Sequence, residues 1–303
     1  MDISERILAL KEQKGMVILA HNYQAPEVQD IADYLGDSLD LCYRAQELDA
    51  DTIVFAGVRF MAESALILNP EKTVLFPAFD ATCPMADMLT PDAIIAAKKR
   101  YPDAPVVLYG NTTAACKAHA DVICTSANAY RIVSSLDADT ILFGPDKNLR
   151  HWVAGQTDQT LVPIPDDGYC YVHNVRITEE DVRSLMAAHP EAAVLAHPEC
   201  TPAVQDLADK IVSTNGMLAE ARSSPARSFI ICTERELCYR LRKEIPEKTY
   251  YEIPHAVCDD MKKTTLATLY EAMATEGRAM TLPREVLERA RRPLERMLEL
   301  SRR

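Results

Sequence analysis

The sequence predicts an α/β protein made of three similar αβα units, each a small parallel sheet flanked by helices. Three observations predict this class: the chain of 303 residues repeats with a period of 88 residues, each repeat alternates apolar strand-like runs with helix-like segments, and one cysteine recurs near the same position of every repeat. Strands that alternate with helices form parallel sheets, because each helix carries the chain back to where the next strand starts. We place the repeats at 2–89, 90–177 and 178–265, followed by a helical tail at 266–303.

Each repeat is predicted to open with a helix and to continue with three strands. The helices begin at cap-type residues that lie in phase, Asp2, Thr90 and Thr178. The first strands are contained in MVILAH, PVVLYG and AVLAHP, the second in DTIVFAG, DTILFGP and SFIICTE, and the third in KTVLFPA, QTLVPIP and KTYYEIP. We therefore expect βαβαβ units with helices on both faces of each sheet. The tail is predicted to form two helices, in TTLATLYEAMATEG and PREVLERARRPLERMLEL.

Composition and charge restrict the function. The formal net charge of −12 disfavours a general nucleic-acid binder, and 48% apolar residues allow a substantial core. No apolar run approaches the roughly 18 residues of a membrane span. The N-terminus, MDISERILALKEQKG, is predicted to form an amphipathic helix rather than a signal peptide, and nine cysteines without such a signal indicate a reducing compartment. We expect a cytoplasmic enzyme with no nucleic-acid partner and no membrane contact.

Polar side chains recur where the first strand of each repeat ends. They form three sets with members 88 residues apart: His21, Tyr109 and His197; Tyr23, Asn111 and Glu199; and Ser38, Ser126 and Thr214. Ligands bind beyond the carboxyl ends of strands in open α/β sheets. If the three units meet around a pseudo-threefold axis, these side chains line one cavity. The hydroxyls, near predicted helix N-termini, would suit a carboxylate or a phosphate.

The same recurrence also has a purely structural explanation. An Ala-Asp pair recurs at Asp33, Asp121 and Asp209, and shared ancestry would keep such residues, and the hydroxyls, as capping groups. For the hydroxyls both explanations stay open. The strand-end pairs differ in chemistry between repeats (His/Tyr, Tyr/Asn and His/Glu), whereas a structural role would favour one residue type. A binding role is therefore the preferred hypothesis for those pairs.

Three of the nine cysteines lie nearly in phase. Cys83, Cys170 and Cys258 follow the third predicted strand of each repeat, with spacings of 87 and 88 residues. Three thiolates on one axis would suit a [4Fe–4S] cluster with one iron left unligated by protein, or a Cys₃ zinc site with water or histidine as fourth ligand. The tight CxxC spacing of zinc ribbons is absent from them. The others are predicted to be small buried hydrophobes: Cys42, Cys116, Cys124, Cys200, Cys232 and Cys238.

The predicted cavity has the groups that an elimination reaction needs. An iron without a protein ligand is a Lewis acid that can chelate a hydroxyl and a carboxylate and promote loss of water. Tyr23, Glu199 and the two histidines would supply the acid and the base. Residues and spacing thus predict a cluster-dependent lyase or dehydrating enzyme that acts on a small anion, and they do not name the substrate.

Seven segments, in order along nearly the whole chain, resemble the quinolinate synthase family: LAHNYQ, YLGDS, GVRFMAE, CPMADM, YGNT, HPEC and MKKTTL. The resemblance implies three pseudo-threefold αβα domains around a central active-site cavity with a [4Fe–4S] cluster at its bottom. It also implies the reaction, in which iminoaspartate condenses with dihydroxyacetone phosphate, phosphate and water are lost, and quinolinate, the precursor of NAD, is formed. Transient contact with an aspartate-oxidising enzyme that supplies iminoaspartate is a further expectation.

The resemblance implies roles for particular residues. The cluster ligands would be Cys83, Cys170 and Cys258. Tyr23 and Glu199 would transfer protons, assisted by His21 and His197. Substrate or intermediates would be held by His21, Ser38, Tyr109, Gly110, Asn111, Ser126, His173, His197, Pro198, Glu199 and Thr214.

Two features qualify the resemblance. Some family members carry a CxxCxxC run at the last cysteine, whereas CDDMKK holds Cys258 alone, which fits a single-cysteine form. The radical enzyme of diphthamide synthesis shares a plan of three domains with one cysteine each, but the small polar strand-end set and HNYQ argue against it. A non-catalytic iron–sulfur sensor is a third hypothesis, disfavoured by the acidic charge and by the lack of a basic face interleaved with aromatic residues.

Overall fold

The fold contains three separate four-stranded sheets, and helices flank each of them. The structure is a computed structural model, and it describes residues 2–301. Every neighbouring pair of strands within the sheets is parallel. The predicted fold class, three αβα units with small parallel sheets, is therefore confirmed.

The elements follow the same order in each unit. In the first unit, helices α1–α5 are Ile3–Lys14, Pro26–Ile31, Ser38–Glu47, Arg59–Leu68 and Pro84–Asp87, and strands β1–β4 are Met16–His21, Tyr34–Gly36, Thr52–Ala56 and Thr73–Leu75. In the second, α6–α10 are Pro91–Arg100, Ala114–Lys117, Ala129–Ser134, Lys147–Ala154 and Tyr171–Val175, and β5–β8 are Val106–Tyr109, Val122–Cys124, Thr140–Gly144 and Thr160–Pro163. In the third, α11–α14 are Glu179–Ala188, Pro202–Gln205, Thr214–Ser223 and Leu237–Glu244, β9–β12 are Ala193–Ala196, Lys210–Ile211, Ser228–Cys232 and Thr249–Glu252, and a 3₁₀ turn follows at Met261–Lys263.

The three sheets share one strand order: β2-β1-β3-β4, β6-β5-β7-β8 and β10-β9-β11-β12. The expectation of three strands per unit was wrong by one strand. The additional strands β2, β6 and β10 start 88 residues apart, at positions 34, 122 and 210, and have only two or three residues each. Such short segments carry no readable apolar alternation, so the sequence alone does not separate them from the helical segment that precedes them.

The recurring Ala-Asp pair holds each short strand beside the first strand. The carboxylates of Asp33, Asp121 and Asp209 accept the backbone N–H of Ile18, Val106 and Val194 at 2.8, 2.7 and 2.8 Å. Each aspartate donates its own N–H back to the carbonyl of the same residue at 2.9 Å. These aspartates are thus structural, and they brace the edge strand rather than cap a helix.

The helices that open the three units begin where the sequence predicts. The side chains of Asp2, Thr90 and Thr178 accept the backbone N–H three residues later and satisfy a donor that the first helical turn leaves unpaired. The first strand of each sheet follows, and its central position explains its apolar sequence, because neighbours on both sides and helices on both faces bury it.

A buried side chain at the same position of every unit fixes the loop that follows the first strand. We name Gln29, Lys117 and Gln205 the carbonyl clamp residues, because each donates to the carbonyls seven and five residues before it. Lys117, fully buried, uses its ammonium where the other units use an amide. The clamps therefore set the conformation of the loops that carry the strand-end residues.

The clamps also contact a neighbouring unit, and these contacts run in a cycle. The contacts are Gln29 to the Glu236 carbonyl at 3.2 Å, Gln205 to the Asn148 carbonyl at 3.3 Å, and the Lys117 ammonium over the Phe60 ring at 5.3 Å. The contacted positions are again 88 residues apart. The first unit thus contacts the third, the third the second, and the second the first, as a pseudo-threefold arrangement requires.

The tail forms the two predicted helices, α15 at Leu266–Thr275 and α16 at Arg284–Ser301. Helix α15 packs on α1 of the first unit, and α16 packs on α7 and β6 of the second unit and on α4 of the first. The domain boundaries themselves stay a prediction. Within residues 2–301, no helix is both long and apolar enough to span a membrane.

Candidate active site

A cavity of about 760 Å³, counted with its opening to solvent, lies where the first strands of the three units end. Its polar lining consists of His21, Tyr23, Asp37, Ser38, Thr82, Tyr109, Asn111, Thr125, Ser126, Tyr171, His173, His197, Glu199 and Thr214, with the thiols of Cys83, Cys170 and Cys258. Its apolar lining consists of Val58, Phe60, Met61, Pro84, Met85, Val172 and Met261. All three units therefore contribute to one site.

The cavity brings together all of the predicted site residues except two. Gly110 and Pro198 are not part of its lining. Their carbonyls instead accept hydrogen bonds from Lys117 Nζ at 2.8 Å and from Gln205 Nε2 at 2.9 Å. Both positions thus belong to the carbonyl clamp, and their role in substrate binding stays a prediction.

Glu199 lies at the centre of a buried hydrogen-bond network. Its Oε1 accepts from the Tyr109 hydroxyl at 2.6 Å, and its Oε2 lies 2.7 Å from Nδ1 of His173. Burial opposes ionisation of this carboxyl, but the adjacent His173 and the hydrogen bonds from His173 and Tyr109 outweigh it and lower the pKa of Glu199 below its usual range. The site thus keeps a carboxylate at neutral pH.

His21 and His197 are held in the same way by their own loops. The backbone N–H of Tyr23 lies 3.2 Å from Nδ1 of His21, and that of Glu199 lies 3.3 Å from Nδ1 of His197. A backbone N–H can only donate, so Nδ1 accepts and the proton of each neutral ring is on Nε2. Nε2 of His197 lies 3.1 Å from the Ser126 hydroxyl.

Burial keeps both of these rings neutral. It lowers the pKa of His21 and of His197 to about 3, although the charge of Glu199 acts in the opposite direction. Neither ring holds an additional proton near neutral pH. Their chemistry at the site is that of N–H donors, which suits an oxygen of a ligand better than it suits general-acid catalysis.

A second chain of contacts links Tyr23 to the Glu199 network. The Tyr23 hydroxyl lies 2.5 Å from Oγ1 of Thr233, which lies 2.8 Å from Nε2 of His173. Burial, followed by the charge of Glu199, raises the pKa of Tyr23 well above its ordinary value, so the phenol keeps its proton. Thr233 was not predicted from the sequence. Its counterparts at the same phase, Gly57 and Pro145, have no hydroxyl, so the repeat gives no signal for this position.

Two of the recurring hydroxyl residues, Ser38 and Thr214, do not cap helices, because the residue one position earlier does so in each case. Ser38 and Thr214 are the first residues of α3 and α13, but the capping side chains are Asp37 and Ser213. Ser38 and Thr214 are thus not the caps, and both line the cavity at a helix N-terminus, which favours anions. Asp37, missed in the sequence analysis, also lines the cavity.

Each cysteine of the site lies at the start of a short turn that follows the last strand of its unit. Cys83 and Cys170 directly precede α5 and α10, and Cys258 precedes the 3₁₀ turn. The backbone N–H of Cys170 donates to Asp146 at 3.1 Å, and that of Cys258 donates to Glu234 at 3.3 Å. Two buried carboxylates, 88 residues apart, therefore hold two of the cysteine loops in place.

The spacing of the three thiols disfavours a single zinc ion. Tetrahedral zinc with bonds of about 2.3 Å would bring its sulfur ligands within about 4 Å of one another. Among residues 2–301, the one group of three potential ligands with all ligand atoms within 4.8 Å is Cys170, His173 and Glu199, whose closeness follows from the hydrogen bonds of His173. Cys83, Cys170 and Cys258 do not form such a group, so the thiols of at least one pair lie more than 4.8 Å apart.

The predicted status of the remaining cysteines is largely confirmed. All nine cysteines are free, and Cys116, Cys124, Cys200, Cys232 and Cys238 are buried. Cys42 is only partly buried and lines a smaller cavity next to the site, together with Gly110. None of these six lines the central cavity.

The chain matches known proteins over almost its whole length. The family described as "Quinolinate synthetase A protein" matches residues 5–299. A protein of Pyrococcus abyssi named quinolinate synthase is 55% identical over 99% of this chain and 100% of its own length. Proteins of the same name from Methanocaldococcus jannaschii and Thermotoga maritima are 50% and 47% identical, covering 99% and 98% of this chain and 99% of each relative.

These matches agree with the resemblance carried by the seven segments and do not favour the radical-enzyme or sensor hypotheses. They extend through all three units and the tail, so they include every cavity-lining position. The chain therefore belongs to the quinolinate synthetase A family.

Proposed function

We propose that this chain condenses iminoaspartate with dihydroxyacetone phosphate and releases quinolinate, phosphate and water, as a step of NAD biosynthesis in the cytoplasm. One observation carries the proposal: three cysteine loops converge on the cavity that also holds Tyr23 and Glu199. The names of the relatives support the product, and nine free cysteines support a reducing compartment. Contact with an aspartate-oxidising enzyme stays a separate prediction.

Cys83, Cys170 and Cys258 would hold a [4Fe–4S] cluster. When bound, the cluster supplies a Lewis-acidic iron that has no protein ligand. The convergence of the three thiols on one cavity and the support of two loops by Asp146 and Glu234 favour this group. Burial raises the pKa of all three thiols, to about 11 for Cys258, so a bound cation is needed to keep them as thiolates.

Glu199 would accept a proton during loss of water, because it is ionised and its two oxygens are fixed by Tyr109 and His173. Tyr23, which keeps its phenolic proton, faces the same cavity from the first unit. His21 and His197 would donate their Nε2–H groups to carboxylate or carbonyl oxygens of the substrates.

The anionic groups of the substrates would bind to hydroxyls and helix N-termini. Ser38 and Thr214 open ten-residue helices, α3 and α13, whose first backbone N–H groups attract negative charge. Ser126 lies beside His197 on the remaining unit. The apolar lining around these groups, including Phe60 and Met261, lowers the local dielectric and strengthens each polar contact.

The test is direct detection of the product. The protein is purified without oxygen and incubated with dihydroxyacetone phosphate and with iminoaspartate formed in place from oxaloacetate and ammonium. We expect quinolinate and inorganic phosphate to form together, and quinolinate to be absent when either substrate is omitted. Cluster-loaded protein that releases no quinolinate under these conditions would contradict the proposal.

A further inference from the structure

The side chain of Asn22, in the first unit, contacts a cavity hydroxyl of the third unit. Asn22 lies between His21 and Tyr23 and is fully buried. Its Nδ2 donates to Oγ1 of Thr214 at 2.8 Å and to Oδ1 of Asn215 at 3.1 Å. Both hydrogens of the amide nitrogen are therefore used at the start of α13.

Arg240 fixes which end of the Asn22 amide faces Thr214. It lies in α14, and its Nη1 donates to Oδ1 of Asn22. A guanidinium can only donate, so the amide oxygen must face Arg240 and the amide nitrogen must face Thr214. Glu244 holds the guanidinium in turn, because its Oε1 accepts from Nε of Arg240 at 2.6 Å.

This arrangement fixes the direction of the Thr214 hydroxyl. Its oxygen accepts a proton from Asn22, and within residues 2–301 no group accepts the proton that the hydroxyl itself carries. Thr214 lines the cavity and is the first residue of α13. A ligand oxygen that takes this proton also meets the positive end of the helix dipole, so the complementary group is an anionic oxygen.

We propose that Arg240 and Asn22 are positioning residues that hold the Thr214 hydroxyl as a hydrogen-bond donor to a carboxylate or phosphate oxygen of the substrate. The identity of the substrate rests on the proposed function, whereas the direction of the hydroxyl rests on the contacts of the amide and the guanidinium. Without Arg240, the amide can exchange the positions of its oxygen and nitrogen. Its oxygen then takes the Thr214 proton, and the ligand meets the lone pairs of the hydroxyl instead.

The kinetic test is a double-mutant cycle of Arg240→Met and Thr214→Val. We expect each single substitution to raise KM for one of the two substrates about tenfold, with kcat within about threefold of wild type, because each removes a hydrogen bond to a charged group that is made before the chemical steps. The double variant should match Thr214→Val within about twofold, because Arg240 then has no hydroxyl to orient. If Arg240 acted only through its charge, the two effects would instead multiply.

Two further variants serve as controls in the same assay. Lys243→Met removes another cation of α14, whose Nζ lies 2.5 Å from Oδ1 of Asp30 across the same interface of the first and third units. It should leave KM within about twofold of wild type, since an exposed ion pair contributes little. Arg240→Lys retains a cationic donor and should recover most of the loss. If Arg240→Met does not fold, Arg240→Ala replaces it in the cycle.

Equilibrium binding gives a readout that is independent of turnover. The probes are inorganic phosphate and the dicarboxylate succinate, each titrated by calorimetry into protein purified without oxygen. We expect Kd for one probe to rise about tenfold in both Arg240→Met and Thr214→Val, and Kd for the other probe to stay within about twofold. The probe that is affected identifies the group that Thr214 binds as a phosphate or a carboxylate.

The outcomes separate the two proposals. A wild-type protein that makes no quinolinate overturns the proposed function, and binding of the probes then decides the inference alone. Independent effects in the cycle, unchanged affinity of Arg240→Met for both probes, or a wild-type protein that binds neither probe would each overturn the roles of Arg240 and Asn22.

Discussion

The Glu199 carboxylate contacts Tyr109 and His173 from the second unit and lies beside His197 of its own unit. Glu199→Gln keeps the size of the side chain but removes the charge and turns an amide toward groups that themselves donate. We expect turnover to fall by about 10²–10⁴-fold, the range for loss of one acid–base group, while iron content stays close to wild type. The measurement is quinolinate formation together with iron counting on the same sample. More than a tenth of wild-type turnover would contradict the role of Glu199.

Buried neutral histidines make the fold sensitive to acid. The folded-state pKa of His197 is about 3, below its ordinary 6.5, so between these values the unfolded chain binds more protons than the folded one. The free energy of unfolding therefore falls as pH decreases through this window, by about 2 kcal/mol at pH 5 for this residue. His197→Asn keeps an acceptor for the Glu199 N–H. It should remove the contribution of His197 to the decrease in the free energy of unfolding at low pH.

The check is chemical denaturation at pH 7.5 and pH 5.0. We expect the difference in the free energy of unfolding between the two pH values to be about 2 kcal/mol smaller in His197→Asn than in wild type. His255→Asn, at an exposed position, is the control and should behave as wild type does. Equal pH dependence in all three proteins would show that His197 is not the source.

At the scale of the elements, the contribution of the carbonyl clamp to stability can be tested at Lys117, because the other two units have glutamine at this position. Lys117→Met leaves the carbonyls of Gly110 and Thr112 without their donor, whereas Lys117→Gln supplies the amide that the other two units use. Both variants remove the Lys117 charge that acts on Glu63, so the comparison isolates the pairing of the carbonyls. We expect Lys117→Gln to be about 1–3 kcal/mol more stable than Lys117→Met in denaturant unfolding. Equal stabilities would contradict the clamp.

The elements differ in how well the sequence predicts them. The helices after Asp2, Thr90 and Thr178 and the longer strands follow from caps and apolar runs, which are local signals. The short strands escaped prediction because they are held by long-range bonds, such as the one from Ile18 N–H to Asp33, rather than by their own sequence. The recurrence of Asp33, Asp121 and Asp209 can be recognised in the sequence. Their bracing role cannot, because it depends on which strand lies beside them.

At the scale of the whole molecule, the 88-residue repeat predicted the convergence of residues in one cavity, which no single motif predicts. Positions 88 residues apart converge in one cavity because equivalent strand ends meet around the pseudo-threefold arrangement, so His21, Tyr109 and His197 were found together. Thr233 was missed for the opposite reason: it has no polar counterpart in the other units. Gly110 and Pro198 do not line the cavity, because their carbonyls accept hydrogen bonds from the clamp residues, and their contact with substrate stays a prediction.

We propose that one cysteine from each unit holds a shared iron–sulfur cluster. The most direct test is anaerobic purification followed by iron and sulfide counting on wild type, Cys83→Ala, Cys170→Ala and Cys258→Ala, with Cys124→Ala as a buried cysteine outside the cavity. We predict about four irons per chain in wild type and in Cys124→Ala, and loss of the cluster in each of the other three. Zinc or no metal in wild type, or a cluster that survives any one of the three substitutions, would contradict the account.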